Sequence, residues 1–181
     1  PVCLSTLCRS KKANPHSKIY TKDEFIKTVQ LWDDDDLVSL LQSKHIDKKI
    51  FSTIDPENSW NILHYAASTP NLSKILTALL LKPATLKITG LAIDKPTTIS
   101  KNYKNIGDII YFSGSTPLHI AVQNQNLSAA ILLIKHGANP EVEDIAGLTP
   151  LDYVLLEQFE SEKIKKWNSL FQNTRYQDNH D

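Results

Sequence analysis

Two histidines, His64 and His119, sit in matching local surroundings 55 residues apart. Paired histidines can ligate a metal or act as bases near neutral pH. No acid or cysteine stands at ligand spacing from either one, which argues against a metal or catalytic site there. Four consecutive acids, Asp33 to Asp36, suggest a hard cation, but no loop glycine and no EF-hand spacing accompany them. They fit the first turn of a helix, where the dipole favours negative charge. Cys3 and Cys8 have no histidine close in sequence and lie beside Arg9, Lys11 and Lys12, a setting compatible with an acylated anchor on a membrane surface or with a plain solvated tail. Asn71-Leu72-Ser73 and Asn126-Leu127-Ser128 fit the glycosylation pattern but fall at expected helix starts, so no sugar is expected. Phosphate loops, G-x-S-x-G elements and zinc cysteine pairs are missing from the chain. These readings predict a protein that is not an enzyme, with no catalytic residue, no metal and no cofactor.

The elements that must hold these residues belong to one domain: 181 residues, 41% of them hydrophobic, suffice for a core. Twenty basic and twenty acidic side chains cancel, so no nucleic-acid partner is expected. The balance is uneven, with six basic and two acidic groups in residues 1–27 against nine acidic and four basic in 141–181. Two cysteines make no disulfide framework, which points to a reducing, cytoplasmic setting, and no apolar run reaches the ~20 residues of a membrane span. The absence of methionine, even at position 1, suggests a trimmed chain, a fragment or a processed product.

Residues 1–20 read as a basic tail. Thr21 with Glu24 forms a capping-box pattern opening a first helix, and a second runs from about Asp34 to Leu41. Gly114-Ser115-Thr116-Pro117-Leu118-His119 returns 33 residues later as Gly147-Leu148-Thr149-Pro150-Leu151-Asp152. Between the copies lies an apolar run, Leu127 to Ile134, closed by His136-Gly137. Thr-Pro starts a helix, with proline preset for its first turn, and glycine ends one by adopting a left-handed backbone. Residues 59–81 match the Gly114 unit at an offset of 55, which is 33 plus 22, so 22 extra residues must lie within 82–113. There Leu86 to Thr89 and Ile109 to Phe112 read as strands of a lengthened hairpin that is net basic by three. Ile164, Trp167, Leu170 and Phe171 share the apolar face of a closing helix, and 173–181 read as a frayed polar tail.

The 33-residue period and its wording resemble the ankyrin repeat, strongly over 114–151, moderately over 59–81 and weakly in the first cap. The resemblance implies a mainly α fold, an α-solenoid of about four helix-turn-helix units with β-hairpin finger loops, one lengthened by about 22 residues. The domain would run from 21 to 172: a cap at 21–50, a unit at 59–81 with a long finger at 82–113, a unit at 114–146 and a closing unit at 147–172. Departures are Ser59 for glycine, Asn61-Ile62 for Thr-Pro, Gln125 for the glycine between helices and Tyr111 for an aspartate.

Ankyrin domains bind proteins through finger tips and exposed positions of the first helices. Carried onto this chain, those positions are Glu57, Asn58, Trp60, Ser68 and Thr69, then Phe112, Ser113, Ser115, Gln123 and Asn124, then Ile145, Ala146 and Leu148. Lys95, Tyr103 and Lys104 of the insertion join them. Trp60 and Phe112 are the aromatic anchors expected at such an interface, unless the insertion folds back over them. The implied function is a non-enzymatic protein-binding module, expected to act as a monomer in the cytoplasm. The alternative is a substrate-recruiting or regulatory part of a larger enzyme, or of a bacterial or viral effector acting in a host cell.

Overall fold

The computed structural model describes residues 21–31, 34–98, 103–106, 109–156 and 161–177. Cys3, Cys8 and the expected basic tail lie outside these residues.

The chain is mainly helical. Helices α1 (Lys22–Leu31), α2 (Asp34–Gln42), α3 (Ile62–Ser68), α4 (Ser73–Leu80) and α5 (Pro83–Thr89) precede a hairpin of β1 (Tyr103–Ile106) and β2 (Ile109–Phe112). Helices α6 (Pro117–Gln123), α7 (Leu127–Lys135), α8 (Pro150–Leu156) and α9 (Ser161–Gln177) follow. Packing is between neighbours in two layers. In one, α1 meets α3, α3 meets α6, and α6 meets α8; in the other, α2 meets α4, α4 meets α7, and α7 meets α9. The core lies between the layers, with Leu63, Ala66, Leu76, Leu79, Leu118, Ala121, Leu133 and Val154 each buried. Burial at small Ala66 and Ala121, which have no exposed surface, lets the first-layer helices approach closely.

Local chemistry sets the helix ends. Thr116 caps α6 and Pro117 takes its first position. In α3, Asn61 replaces that pair: its side chain accepts from the Leu63 and His64 N–H groups at 2.9 and 3.3 Å. Helix α7 ends in a left-handed Gly137 at φ 92°, with the Ala138 N–H returning to the Leu133 carbonyl at 3.0 Å. Helix α4 lacks a capping side chain of its own. Its first N–H groups are capped from another unit by Asp34, whose carboxylate accepts from Lys74 N–H and, at 2.6 Å, from Ile75 N–H. Asp34 therefore caps a neighbouring helix across the interface as well as opening its own.

Two expectations need correction. Leu86 to Thr89 form helix, not strand, because Pro83 starts α5 and Gly90, at φ 72°, ends it. Those two boundary residues outweigh the β-branched composition of Ile88 and Thr89. The strand that pairs with Ile109–Phe112 is instead Tyr103–Ile106, antiparallel, with Tyr103 opposite Phe112 and Lys104 opposite Tyr111. At the other end, α9 continues to Gln177, so residues 173–177 are helical and not a frayed tail. Its apolar face is as expected, with Trp167 and Phe171 buried.

Candidate functional site

Three loops at the ends of successive units each turn on a compact hydrogen-bonding device. In the first, the Asp55 carboxylate accepts from Glu57 N–H at 2.8 Å and from the Tyr65 hydroxyl, while Asp55 N–H donates to the Trp60 carbonyl at 2.7 Å. In the third, Asp144 accepts from Ala146 N–H at 2.8 Å, Leu148 N–H at 3.3 Å and the Tyr153 hydroxyl. Thus Asp55–Tyr65 and Asp144–Tyr153 brace equivalent turns. In the middle loop Tyr111 replaces the aspartate; it is buried, and its hydroxyl exchanges hydrogen bonds with the Asn124 amide at 2.8 and 3.1 Å.

The loops are also joined to one another. The Ser59 hydroxyl donates to the Thr98 carbonyl at 2.9 Å. Thr97 and its partners bond in both directions, Thr97 N–H to Ser115 O at 3.0 Å and Gly114 N–H to Thr97 O at 2.8 Å. Ile145 N–H then donates to Ser113 O at 2.9 Å. The approach at that joint requires Gly114, because a Cβ there would meet Asp144 Cα at 3.1 Å and the residue has φ 88°. The result is a continuous row of loops held mainly by backbone.

The histidines lie beneath this row. In His119, Nδ1 accepts the Thr116 N–H at 3.0 Å, so Nε2 carries the proton and donates to the Leu148 carbonyl at 3.0 Å. It ties the first helix of one unit to the loop of the next. His64 lies with Nδ1 3.2 Å from the Asn61 backbone N–H, and its Nε2 is buried without a hydrogen-bond partner. Burial pushes the His64 pKa down to about 3 and lowers that of His119; the Leu148 carbonyl opposes the shift at His119, and the Ser115 and Lys95 carbonyls near the His64 ring oppose it there without making a hydrogen bond of normal geometry to Nε2. Both are neutral at pH 7, fixed within the core. Burial, together with the Asp55 bond, raises Tyr65 to about 12, so its hydroxyl keeps its proton. Among the described residues no group of three or more histidine, cysteine, aspartate or glutamate side chains is placed to hold a metal ion.

The residues singled out from sequence divide by burial. Glu57, Lys95, Ile145 and Ala146 are exposed, and Ser68, Thr69, Phe112, Ser113, Asn124 and Leu148 are partly so. Asn58, Trp60, Ser115 and Gln123 are buried and offer little side-chain surface to a partner. Trp60 is the clearest correction. It is 3% exposed, with its ring edge-on to Tyr65 and Tyr111 at 5.2 Å each, so the segment leading into Gly114 does fold over it. Phe112 remains partly accessible. The side chains of Tyr103 and Lys104 lie outside the described set; only their backbone pairing is. Sequence reasoning missed Ile54, which is 43% exposed just before Asp55 as Ile145 is 55% exposed just after Asp144. The shared aspartate turn is the signal that could have found it. It also missed Ser59, Thr97 and Thr98, the residues that join the loops.

The row offers short polar groups, backbone and a few exposed apolar side chains on a braced frame, an arrangement suited to recognition. Among the described residues no helix is long and apolar enough to cross a membrane. Residues 107–154 match the family of ankyrin repeats (many copies). That match supports an ankyrin-repeat protein, and such repeats are generally protein–protein interaction modules, typically without catalytic activity.

Proposed function

We propose that this chain is a non-enzymatic protein-interaction module that binds a protein partner along its row of loops. The observation that carries this reading is the joint between the middle and third loops: Ile145 is bonded by its backbone to Ser113 while its side chain is 55% exposed. A large apolar side chain held outward on a fixed frame gives contact area at little ordering cost. Ala146, Leu148, Phe112, Ser113, Lys95, Glu57, Ser68, Thr69 and Asn124 complete the surface, with Tyr103 and Lys104 from the hairpin. The frame is an α-solenoid: a cap at 21–50, units at 59–81 and 114–146, and a closing unit at 147–172. Residues 82–113 are an enlarged finger that adds a helix as well as a hairpin. The protein acts as a monomer in the cytoplasm.

The test is affinity capture from the cell that makes the protein, comparing the whole chain with Ile145→Arg. Because Ile145 is exposed, thermal unfolding should be unchanged while the specifically retained protein is lost. Retention of the same proteins by both would sink the reading.

A further inference from the structure

A second surface, sharing no residue with the loops, lies where α2, α4 and α5 meet. A groove of about 310 Å³ is lined by Leu41, Ala78, Leu81 and Ile88, with Lys48 and Lys82 among its polar members. Leu81 and Ile88 are 62% and 60% exposed, which is unusual for two large aliphatic side chains flanking one depression. The volume is at the lower end of the ~300–1,000 Å³ of ligand pockets. It accommodates anchoring side chains, not a folded domain. The groove exists because of α5, since the Pro83 start and Gly90 stop turn the chain after α4 into a short helix that packs on the 3₁₀ turn Lys48–Ser52.

Charge selects the occupant. Segments 42–49 and 81–89, which border the groove, contain Lys44, Lys48, Lys49, Lys82 and Lys87 against a single acid, Asp47. The Asp47 carboxylate caps the 3₁₀ turn by accepting from Lys49 N–H at 3.0 Å. Lys48 is held at the end of α2, its ammonium donating to the Ser43 carbonyl and, at 3.2 Å, to the Leu40 carbonyl. Desolvation there lowers its pKa. Among the described residues neither Lys48 nor Lys82 has a carboxylate partner within ion-pair distance. A cation fixed beside apolar surface gains most from an anion that arrives with apolar groups of its own.

We propose that this groove docks an acidic peptide segment of a protein partner, with aliphatic side chains between Leu81 and Ile88 and carboxylates against Lys48 and Lys82. The proposal is independent of the loop surface.

The test uses the full chain and two short fluorescein-labelled amphipathic peptides with the same leucine positions, one with flanking glutamates and one with lysines in their place. Fluorescence polarisation should show the glutamate peptide binding about tenfold more tightly, and weakening as salt screens the rim. Lys82→Glu and Ile88→Ser, both at exposed positions, should each reduce that binding several-fold without altering thermal unfolding. Equal affinity for the two peptides, no binding of either, or binding unaffected by both substitutions would overturn the proposal. So would sedimentation showing dimers that Ile88→Ser dissociates, because the occupant would then be a second copy of the chain.

Discussion

His119 and His64 occupy the same place in units 55 residues apart, and both are fully buried. His119 completes its hydrogen bonds between Thr116 and the Leu148 carbonyl, whereas His64 Nε2 has no partner. The difference extends through both units. Thr116-Pro117 opens α6 where Asn61-Ile62 opens α3. Asn126 caps α7 from within its own unit, accepting from Ala129 N–H at 3.2 Å, while the matching Asn71 is exposed and Asp34 supplies the cap for α4. Where the Gly114 unit has Ser115, the earlier unit has Trp60. Equal backbone positions are thus reached by different side-chain chemistry, chosen by what each neighbour can offer. The unit beginning at Ser59 has α1 and α2 on one side and the α6–α7 unit on the other, and its joints differ accordingly.

Trp60 gives the largest expected effect. Its ring fills the space between Tyr65 and Tyr111, so Trp60→Ala should lower stability by ~3–5 kcal/mol in chemical denaturation. Ser115→Ala, at the equivalent position, should be neutral or slightly stabilising, because the buried Ser115 hydroxyl has no hydrogen-bond partner. A loss at Ser115 rivalling that at Trp60 would show that the two positions do the same work.

The histidine contrast can be sharpened with pH. The unfolded His64 titrates near ~6.5 and the folded one at about 3. Between these values the unfolded chain binds more protons, so stability is present above the unfolded value and is lost as pH falls toward the folded one. Melting temperature should fall from pH 7 to pH 4.5, and fall less steeply in His64→Gln. Parallel slopes for the two proteins would show that His64 does not govern the acid transition.

The caps come next. Asp34→Ala should cost ~1–2 kcal/mol, comparable with Asn126→Ala, whereas Asn71→Ala should change stability by less than ~0.5 kcal/mol. Urea titrations of the three variants would decide whether the duty of Asn126 has passed to Asp34 in the earlier unit. An Asn71 variant as damaging as the Asp34 one would refute the exchange.

What could be read in the sequence is what neighbouring residues decide. Thr116-Pro117 and Gly137 mark helix ends by local backbone preference, and the helices start and stop there. The outward placement of Ile145 followed from its position in the repeat. The burial of Trp60 did not, because it depends on Tyr111 from the far end of an irregular segment. Asp34 was legible as a helix-starting acid but not as the cap of α4, whose Ile75 N–H it reaches from 41 residues away. Helix α5 was hidden because Ile88 and Thr89 favour strands in isolation, and Pro83 and Gly90 had to be read together as its ends. The polar sequence of Tyr103–Ile106 gave no period to identify the partner of Ile109–Phe112.

The smallest effects concern the two residues that replace glycine. Ser59 and Gln125 adopt φ 62° and 55°, where a side chain is strained by roughly 1–2 kcal/mol and glycine is not. Gln125 returns little for that strain, since among the described residues its exposed side chain accepts a hydrogen bond only from Lys163, at 3.3 Å. Gln125→Gly should therefore stabilise the protein by ~0.5–1 kcal/mol, after the greater freedom of glycine in the unfolded chain is included. Ser59→Gly relieves the same strain but removes the hydroxyl that bonds to Thr98, so its net change should stay within ~0.5 kcal/mol of zero. Guanidinium denaturation of both variants separates these outcomes. Equal stabilisation would mean that the bond between Ser59 and Thr98 contributes nothing, and the first loop would then be coupled to the others only through the core beneath it.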